Sequence, residues 1–460
     1  MPRVKPRTRV PCRWVREWDP EDGEFWDRSG KLIARRNLVV SIVTEHVGFS
    51  IWSIWSVLVL FLSPEIGFDF TAGEKFLLVL VPTLVGAVLR LPYSYAVIRW
   101  GGRTWTVFST AILLVPTLLA WYFVQQPGTP MWVFVLIGAL TGLGGGCFAS
   151  SMTNVAHLYP RRHQGWALGL NAGGGNIGVA VVHVVGLLVI ATVGDTHPAY
   201  VAGIYLPVIV LATVLAALFM DNVDPVDRSA GGRGALREAL AYRHTWLISA
   251  LYVGTFGSFI GYSFAFGLVL QHQLGATAFE AASYTFLGPL LGSLARPVGG
   301  RLADRLGGAV VTSWVFLGMA ASVALLVLVT PLDSLGLFVT GFVLLFVLSG
   351  LGNGSTYKMI PTAFADQVGT PRHGAVAARV RRLTGATVAI AGAIGALGGV
   401  LINLAFRASF DGAGSSGVAA FAGFLAYYLL CLLILHRGYL RTTEVRAEQA
   451  SRSQREGVRV

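Results

Sequence analysis

GLGGGCFASSM, residues 142–152, and GLGNGSTYKMI, residues 350–360, share a GLG-G core at an offset of 350 − 142 = 208 positions. Arg90 and Arg296 repeat at nearly the same interval, 296 − 90 = 206 positions, and each is followed nine residues later by another arginine. The interval is close to half of the 460-residue chain. The sequence therefore predicts two related halves that run in parallel.

The composition predicts that both halves lie in a membrane. Apolar residues make up 54% of the chain and charged residues only 13%, against about a quarter of charged residues in soluble domains. A helix needs about twenty apolar residues to cross the hydrocarbon layer. Runs of that length begin near Leu38, Lys75, Thr104, Met131, Trp166, Ala199, Thr245, Ala281, Ala309, Leu335, Thr384 and Gly417. We therefore expect an all-α membrane protein with about twelve transmembrane helices, six in each half.

Polar stretches mark the boundaries of these halves. The predicted regions are an N-terminal segment (1–37), a first half (38–220), a linker (221–244), a second half (245–436) and a tail (437–460). Basic residues fall mainly in alternate loops: Arg99 and Arg103, Arg161 and Arg162, Arg228, Arg233, Arg237 and Arg243, Arg301 and Arg305, and Arg372, Arg379, Arg381 and Arg382. By the positive-inside rule these loops and both termini are cytoplasmic, in a multi-pass protein of the cell inner membrane.

The N-terminal segment has no short apolar run of the kind found in a cleavable signal. Trp14, Trp18 and Trp26 lie among charged residues, a pattern that fits either a segment on the membrane surface or a flexible tail. We assign no chemistry to it.

Several function classes are not supported by the sequence. The net charge of +12 comes from basic residues spread between apolar runs, which does not predict nucleic-acid binding. Cys12, Cys147 and Cys431 are far apart and form no CxxC pair, so neither a metal site nor a disulfide is predicted. There is no nucleophile–base pair, metal cluster or Walker loop. We therefore expect neither an enzyme nor a bound cofactor.

The two repeated arginines are the residues from which function can be inferred. Nine helical residues rise about 13.5 Å, which places Arg90 and Arg296 about half a bilayer from the cytoplasmic surface. An unpaired arginine at that depth costs about 2.5 to 3.5 kcal/mol or more, so it needs a partner. Each could instead extend to the surface or pair with a carboxylate. However, Glu45 is the only acid well inside an apolar run, and it cannot neutralise two guanidinium groups.

A bound anion is the remaining partner. A guanidinium group is planar with parallel N–H donors and binds a planar oxyanion through two hydrogen bonds, whereas lysine offers only a point charge. Nitrate has this planar form. The charge pattern therefore favours a carrier of a small oxyanion.

Two glycine-rich stretches extend this interpretation. NAGGGNIGVA, residues 171–180, and GAIGALGG, residues 392–399, resemble the signature of the nitrate/nitrite porters of the major facilitator superfamily. The loops RWGGRTW and GGRLADRLGG resemble the basic loop motif of the same superfamily, although the first lacks its aspartate. The signature positions are Gly173, Gly174, Gly175, Asn176, Gly178, Gly392, Gly395 and Gly398. Close helix packing alone is the other explanation for such glycines.

The resemblance implies twelve helices in two pseudo-symmetric halves that rock about a central site, and nitrate and nitrite as ligands of an expected monomer. It maps Arg90 and Arg296 onto paired substrate-binding arginines and Asn176 onto a substrate contact. It also maps Tyr252, Phe148, Phe49 and Phe256 onto positions that line the central site. Ordinary helix packing is the alternative for the three phenylalanines.

How transport is driven stays open in the sequence. Glu45, His46 and His183 titrate and are candidates for proton coupling, or they simply form interhelical hydrogen bonds. Lys358 is expected to reach the cytoplasmic surface and is left out of the site. Nitrate:nitrite antiport is the leading hypothesis, proton-coupled nitrate symport is the alternative, and a non-transporting anion sensor is a third class.

Overall fold

A computed structural model describes residues 14–225, 233–368, 375–412 and 416–441. Nearly all of these residues are helical, and the twelve predicted spans are found in the predicted order. The first half contains α1 (Lys31–Ser53, continued by Trp55–Phe61), α2 (Ala72–Trp100), α3 (Gly102–Ala111 and Leu114–Phe123), α4 (Met131–Thr141 and Leu143–Leu158), α5 (Arg161–Val193) and α6 (Ala199–Phe219).

The second half repeats this plan. It contains α7 (Arg243–Tyr252 and Ser258–Leu274, joined by the π-helical turn Val253–Gly257), α8 (Ala278–Thr285 and Leu287–Leu306), α9 (Gly308–Val329), α10 (Leu335–Val368), α11 (Ala375–Asp411) and α12 (Val418–Leu435). We call the side of the molecule that carries the α6–α7 linker the linker side, and the opposite side the far side. Helices with odd numbers run from the linker side to the far side.

Within the described residues, eleven helices are long and apolar enough to cross a membrane. The exception among the twelve is α8, which carries Arg296, Arg301, Asp304 and Arg305. These charges lower its mean hydropathy, and a span of this kind depends on neighbouring helices to cover its polar groups. Accordingly α8 packs against α5, α9 and α10.

Paired glycines show that the two halves are built alike. A Cβ atom placed on Gly145 of α4 would lie 2.7 Å from the Cα atom of Gly86 on α2. In the second half, a Cβ atom on Gly350 of α10 would lie 2.8 Å from the Cα atom of Gly292 on α8. Gly86 and Gly292 are 292 − 86 = 206 positions apart, the same interval as the two arginines. The repeated glycines therefore allow equivalent backbone contacts in both halves.

The linker side is held together by segments that the sequence did not predict. A strand, β1 (Trp14–Trp18), pairs in parallel with β2 (Asn222–Pro225) at the start of the linker. The indole nitrogen of Trp18 donates to the carbonyl of His157 at 3.0 Å. Trp18 and Trp26 are buried, so these rings pack inside the protein, whereas Trp14 is exposed as expected for a surface segment.

The second part of the linker is attached to the second half. It forms the helix Arg233–Leu240. Glu238 of this helix accepts hydrogen bonds from Arg379 and Arg382 of α11, both at 2.8 Å. The Arg379 hydrogen bond, followed by that of Arg382, holds the pKa of Glu238 below its usual value. The linker is therefore fixed to each half by its own polar contacts.

The two halves are also in contact on the far side. Phe76 in the first turns of α2 stacks on Phe406 and Phe410 of α11, with ring centroids 5.9 Å and 5.4 Å apart. The side-chain amide of Gln271 at the end of α7 donates to the carbonyl of Leu60 at the end of α1 at 3.4 Å. These contacts close the far side between the halves.

Candidate functional site

Arg90 lies deep between the halves. Its side chain is only 1% exposed, and its Nη1 donates to the carbonyl of Gly392 on α11 at 2.8 Å. The guanidinium carbon lies 4.7 Å from the ring centroid of Phe148 and 4.8 Å from that of Phe256. Aromatic faces at this distance attract a cation. Arg90 is thus held by one carbonyl and two rings.

These contacts leave most of the hydrogen-bonding capacity of Arg90 unused. In the part of the chain that the structure describes, its Nε and Nη2 atoms have no hydrogen-bond partner, and no carboxylate pairs with it. A guanidinium group carries five N–H donors, and a buried donor without a partner costs free energy. The arrangement therefore has room for an additional acceptor.

Arg296 is placed in a similar way in the second half. It is 7% exposed, and its Nη2 donates to the hydroxyl of Tyr252 at 3.3 Å. Its guanidinium carbon lies 5.6 Å from the ring centroid of Tyr357. Across residues 14–225, 233–368, 375–412 and 416–441, its Nη1 atom has no hydrogen-bond partner and no carboxylate forms an ion pair with it.

Stacked rings connect the two arginines. Tyr252 stacks on Phe256 with centroids 5.1 Å apart, and Phe256 stacks on Phe148 at 6.1 Å. Phe49 meets Phe148 edge to face at 6.0 Å, one layer further from the arginines. The structure thus brings together the residues expected from the sequence to line the central site, with Phe49 in a supporting position.

Two aromatic residues of this cluster were missed in the sequence. Trp52 lies 5.7 Å from the Arg90 guanidinium and donates its indole N–H to the carbonyl of Pro82 at 2.8 Å. Tyr357 stacks on Tyr252 with centroids 4.4 Å apart. Trp52 follows Phe49 by three residues on α1, so helical spacing was a usable signal for it. Tyr357 has no aromatic counterpart in the first half, and the repeat gave no signal for it.

Two of the signature glycines lie where neighbouring helices approach each other closely. A Cβ atom on Gly178 of α5 would lie 2.2 Å from the carbonyl of His46 on α1. In the second half, a Cβ atom on Gly398 of α11 would lie 2.8 Å from the carbonyl of Val253 on α7. The two glycines are 398 − 178 = 220 positions apart. Each allows equivalent helices of its half to touch.

Some of the remaining signature glycines are closely packed against another helix, and one is not. A Cβ atom on Gly175 would lie 2.3 Å from the carboxyl group of Glu45, and one on Gly395 would lie 2.4 Å from the ring of Tyr252. A Cβ atom on Gly174 would lie 2.4 Å from the side chain of Ile42, whereas a Cβ atom on Gly173 would have no neighbour within 4 Å among the described residues. The signature therefore serves packing at most positions.

Asn176 is the exception within the signature. It is completely buried, with 0% exposure. Neither its amide nitrogen nor its amide oxygen has a hydrogen-bond partner in the described ranges. Packing does not explain a buried amide of this kind, because two unpaired polar atoms are costly. Asn176 therefore stays a candidate for contact with a ligand.

Glu45 belongs to a polar cluster in the first half. It is 1% exposed, and its Oε2 accepts hydrogen bonds from the Ser151 hydroxyl and the Asn171 amide. Its Oε1 has no partner among the residues that the structure describes. A cavity of about 10 Å³ adjoins the carboxyl group and is lined by hydroxyl-bearing residues that include Thr110. That volume is about the smallest that holds one water molecule.

The other titratable candidates have ordinary polar contacts. The His46 ring lies 3.4 Å from the carbonyl of Gly174. His183 lies 2.7 Å from the carbonyl of Val179 and 3.2 Å from the hydroxyl of Ser56. These contacts are interhelical or local hydrogen bonds, the simpler of the two explanations given by the sequence.

Lys358 lies outside the arginine cluster. Its Nζ atom forms an ion pair with Asp304 at 2.7 Å, where α8 and α10 end on the linker side, and the Lys358 side chain is half exposed. A separate cavity of about 950 Å³ opens on the far side against α3 and α6 and is lined by neither arginine. This cavity is not lined by a buried arginine or lysine. The arginine cluster is therefore the stronger candidate site.

Comparisons with known proteins identify the family of this chain. Residues 46–401 match the family model described as the Major Facilitator Superfamily. The chain is 38% identical to the "Nitrate/nitrite transporter NarU" of Escherichia coli (strain K12), over 91% of this chain and 95% of that protein. It is 36% identical to the "Probable nitrate/nitrite antiporter NarK2" of Thermus thermophilus, over 76% of this chain and 83% of that protein.

Among solved structures, the fold is similar to that of a bacterial homolog of the human lysosomal transporter Spinster in an inward-facing and occupied conformation. The TM-score is 0.63, and the alignment covers 88% of this chain and 97% of that one. Sequence identity is 14%, so this likeness concerns the fold alone.

Proposed function

The chain belongs to the nitrate/nitrite porters of the Major Facilitator Superfamily, and from this premise we propose that it exchanges nitrate for nitrite across the membrane. It is a multi-pass membrane transporter and not an enzyme. The observation that carries the proposal is the pair of buried arginines, each with unpartnered guanidinium N–H groups and no carboxylate partner in the described residues. An oxyanion supplies the missing acceptor.

The proposed binding mode follows from the donors at the site. Arg90 offers Nε and Nη2, which lie on one edge of its guanidinium plane and match two oxygens of a planar anion. Arg296 offers Nη1 from the second half. The Tyr252 hydroxyl accepts from Arg296, so its own proton can be donated to the anion. Asn176 adds an amide donor from α5.

The aromatic walls give the anion a site from which bulk water is excluded. Phe148 and Phe256 cover the Arg90 guanidinium, and their ring edges and faces leave few competing hydrogen-bonding groups. A charge-assisted hydrogen bond is stronger in such surroundings than in water. The site therefore favours a small anion that can give up its hydration for several fixed donors.

Exchange follows from the charges. Arg90 reaches α11 across the boundary between the halves, so closing the halves brings two positive charges together in a poorly solvated space. An empty site keeps their repulsion, while one bound monovalent anion removes much of it. The halves therefore change between their two orientations more easily when an anion is bound. Nitrite bound during the return step completes an exchange cycle.

Stoichiometry tests this proposal. Purified protein is placed in liposomes loaded with nitrite, and the uptake of labelled nitrate and the release of nitrite are measured together. We expect one nitrite released for each nitrate taken up, and no exchange in protein-free liposomes. Nitrate uptake without matching nitrite release would rule out obligatory exchange.

Glu45 supports a second candidate, proton-coupled nitrate symport. Its carboxyl group is buried with one unpartnered oxygen and adjoins a hydroxyl-lined cavity, and only a titrating group can carry a proton through the cycle. If a proton carried by Glu45 balances the charge, the empty transporter can return without bound nitrite. Replacing Glu45 with Gln should abolish uptake driven by a pH gradient if this candidate is correct, and leave exchange intact if it is not.

The orientation and assembly are further parts of the proposal. We propose that the linker side and both termini face the cytoplasm, because basic residues are concentrated in the loops on this side. The anion path lies between the two halves of one chain, so a monomer is sufficient for transport.

A further inference from the structure

Tyr357 of α10 contacts the site through its ring and also carries a buried hydroxyl group. The ring stacks on Tyr252 at 4.4 Å and lies 5.6 Å from the Arg296 guanidinium. Its buried hydroxyl oxygen has no hydrogen-bond partner in the described part of the chain. Phenylalanine would supply the same stacking. The hydroxyl therefore calls for an explanation that packing does not give.

The hydroxyl of Tyr357 lies close to both arginines. Arg90 donates to the carbonyl of Gly392, and a Cβ atom on Gly392 would lie 3.3 Å from the Tyr357 hydroxyl and 3.8 Å from the Nη1 atom of Arg90. The ring of Tyr357 also covers Arg296. The ring of Tyr357 is thus beside Arg296, and its hydroxyl is beside the residue whose carbonyl Arg90 contacts.

Asn353 lies one helical turn before Tyr357 on the same side of α10, because residues four apart share a helix face. It is 1% exposed, and neither polar atom of its amide has a partner within residues 14–225, 233–368, 375–412 and 416–441. Gly354 holds this turn against α8, since a Cβ atom there would lie 2.2 Å from the carbonyl of Arg296. The turn of α10 that carries Asn353 therefore packs against the backbone of Arg296.

We propose that Tyr357 donates its phenolic proton to the transported oxyanion and that Asn353 is a second amide donor, so that α10 contributes directly to anion binding. The inference rests on the proposed nitrate/nitrite function. It makes the two halves complementary: Arg90 and Asn176 bind from the first, and Arg296, Tyr252, Tyr357 and Asn353 bind from the second. The ligand class is a small oxyanion with several acceptor oxygens.

Removing one oxygen atom tests the role of Tyr357. The variant Tyr357→Phe keeps the ring, its stacking on Tyr252 and its contact with Arg296. We expect the nitrate concentration for half-maximal uptake to rise about tenfold, the effect of losing a hydrogen bond to a charged group. The matched control is Tyr205→Phe on α6, because Tyr205 is also buried and its hydroxyl is also unpartnered in the described residues.

Asn353→Ala is measured beside these variants, with nitrate binding followed by tryptophan fluorescence in detergent as a readout independent of transport. Trp52 lies 5.7 Å from Arg90 and can report on binding. The inference is supported if Tyr357→Phe and Asn353→Ala weaken binding and Tyr205→Phe does not. It is overturned if Tyr357→Phe binds nitrate like the wild type, or if all three variants are weakened equally. Failure of the wild type itself to bind or transport nitrate would instead reject the proposed function.

Discussion

The Nη1 atom of Arg90 on α2 donates a 2.8 Å hydrogen bond to the carbonyl of Gly392 on α11, and so joins the two halves at the level of the candidate site. The repeated arginine of the first half thus contacts a signature glycine of the second half. A change in the distance between the halves would therefore change the contacts of this arginine.

The signature glycines should differ sharply in their tolerance of alanine. In Gly395→Ala, a Cβ atom 2.4 Å from the Tyr252 ring must displace the side chain that Arg296 contacts. We expect nitrate uptake to fall about tenfold or more, since small displacements of a binding group are costly. Gly173→Ala is the control, because no described atom lies within 4 Å of its Cβ position. Equal activity of the two variants would contradict the packing role.

Lysine should not replace either arginine. Arg90→Lys and Arg296→Lys keep the positive charge but lose the planar two-point contact. We expect each to reduce nitrate uptake by roughly ten- to a hundredfold, the equivalent of a lost charge-assisted hydrogen bond. Uptake is compared at equal amounts of protein in the membrane. Wild-type transport by either variant would remove that arginine from the site.

Asn176→Ala should weaken nitrate binding without unfolding the protein. The amide is buried and unpartnered in the described residues, so its removal costs no hydrogen bond within that part of the protein. We expect binding to weaken by about 1 to 3 kcal/mol, as for a lost hydrogen bond to a charged group. Titration of nitrate into the purified variant measures this. An unchanged affinity would leave the amide without a role in binding.

The linker contact should depend on acid in a defined direction. Hydrogen bonds from Arg379 and Arg382 hold the pKa of Glu238 below its usual value. A lowered carboxyl pKa contributes stability above the usual value near 4.5, and this stability is lost as the pH falls through the folded-state pKa. We expect Glu238→Gln to lower Tm slightly at pH 7, because exposed ion pairs contribute little.

The difference in Tm between the wild type and Glu238→Gln should shrink as the pH falls below about 4. Thermal unfolding in detergent across this range measures it. A difference that grows with acid would show that the ion pair does not control the attachment of the linker helix.

The sequence predicted the fold well because its signals were strong and repeated. Twelve apolar runs and an offset near 207 positions identify the spans and their duplication without any knowledge of contacts. The weakest span, α8, was still predicted because an apolar run begins near Ala281. The β1 and β2 strands were not predicted, since a two-stranded pairing between residues about 200 positions apart leaves no periodic pattern in so short a segment.

Physical reasoning from the residues alone predicted the site only where charge was involved, whereas Asn176 and the aromatic lining residues came from the family resemblance. Arg90 and Arg296 could be selected because a buried charge requires a partner. Tyr357 could not, because an aromatic residue in an apolar helix is ordinary and the position of its hydroxyl depends on how α10 meets α8. Glu45 shows the same limit, since Ser151 and Asn171 lie more than 100 positions away from it and only the folded chain brings them together.

The most direct test of the account is nitrate uptake into four sets of proteoliposomes, loaded with nitrite or empty, each with and without a pH gradient. We predict fast uptake into nitrite-loaded vesicles, slow uptake into empty ones, and little change when the gradient is collapsed, because each crossing needs an anion between Arg90 and Arg296. Fast uptake into empty vesicles that depends on the pH gradient and disappears in Glu45→Gln would contradict exchange and establish proton symport.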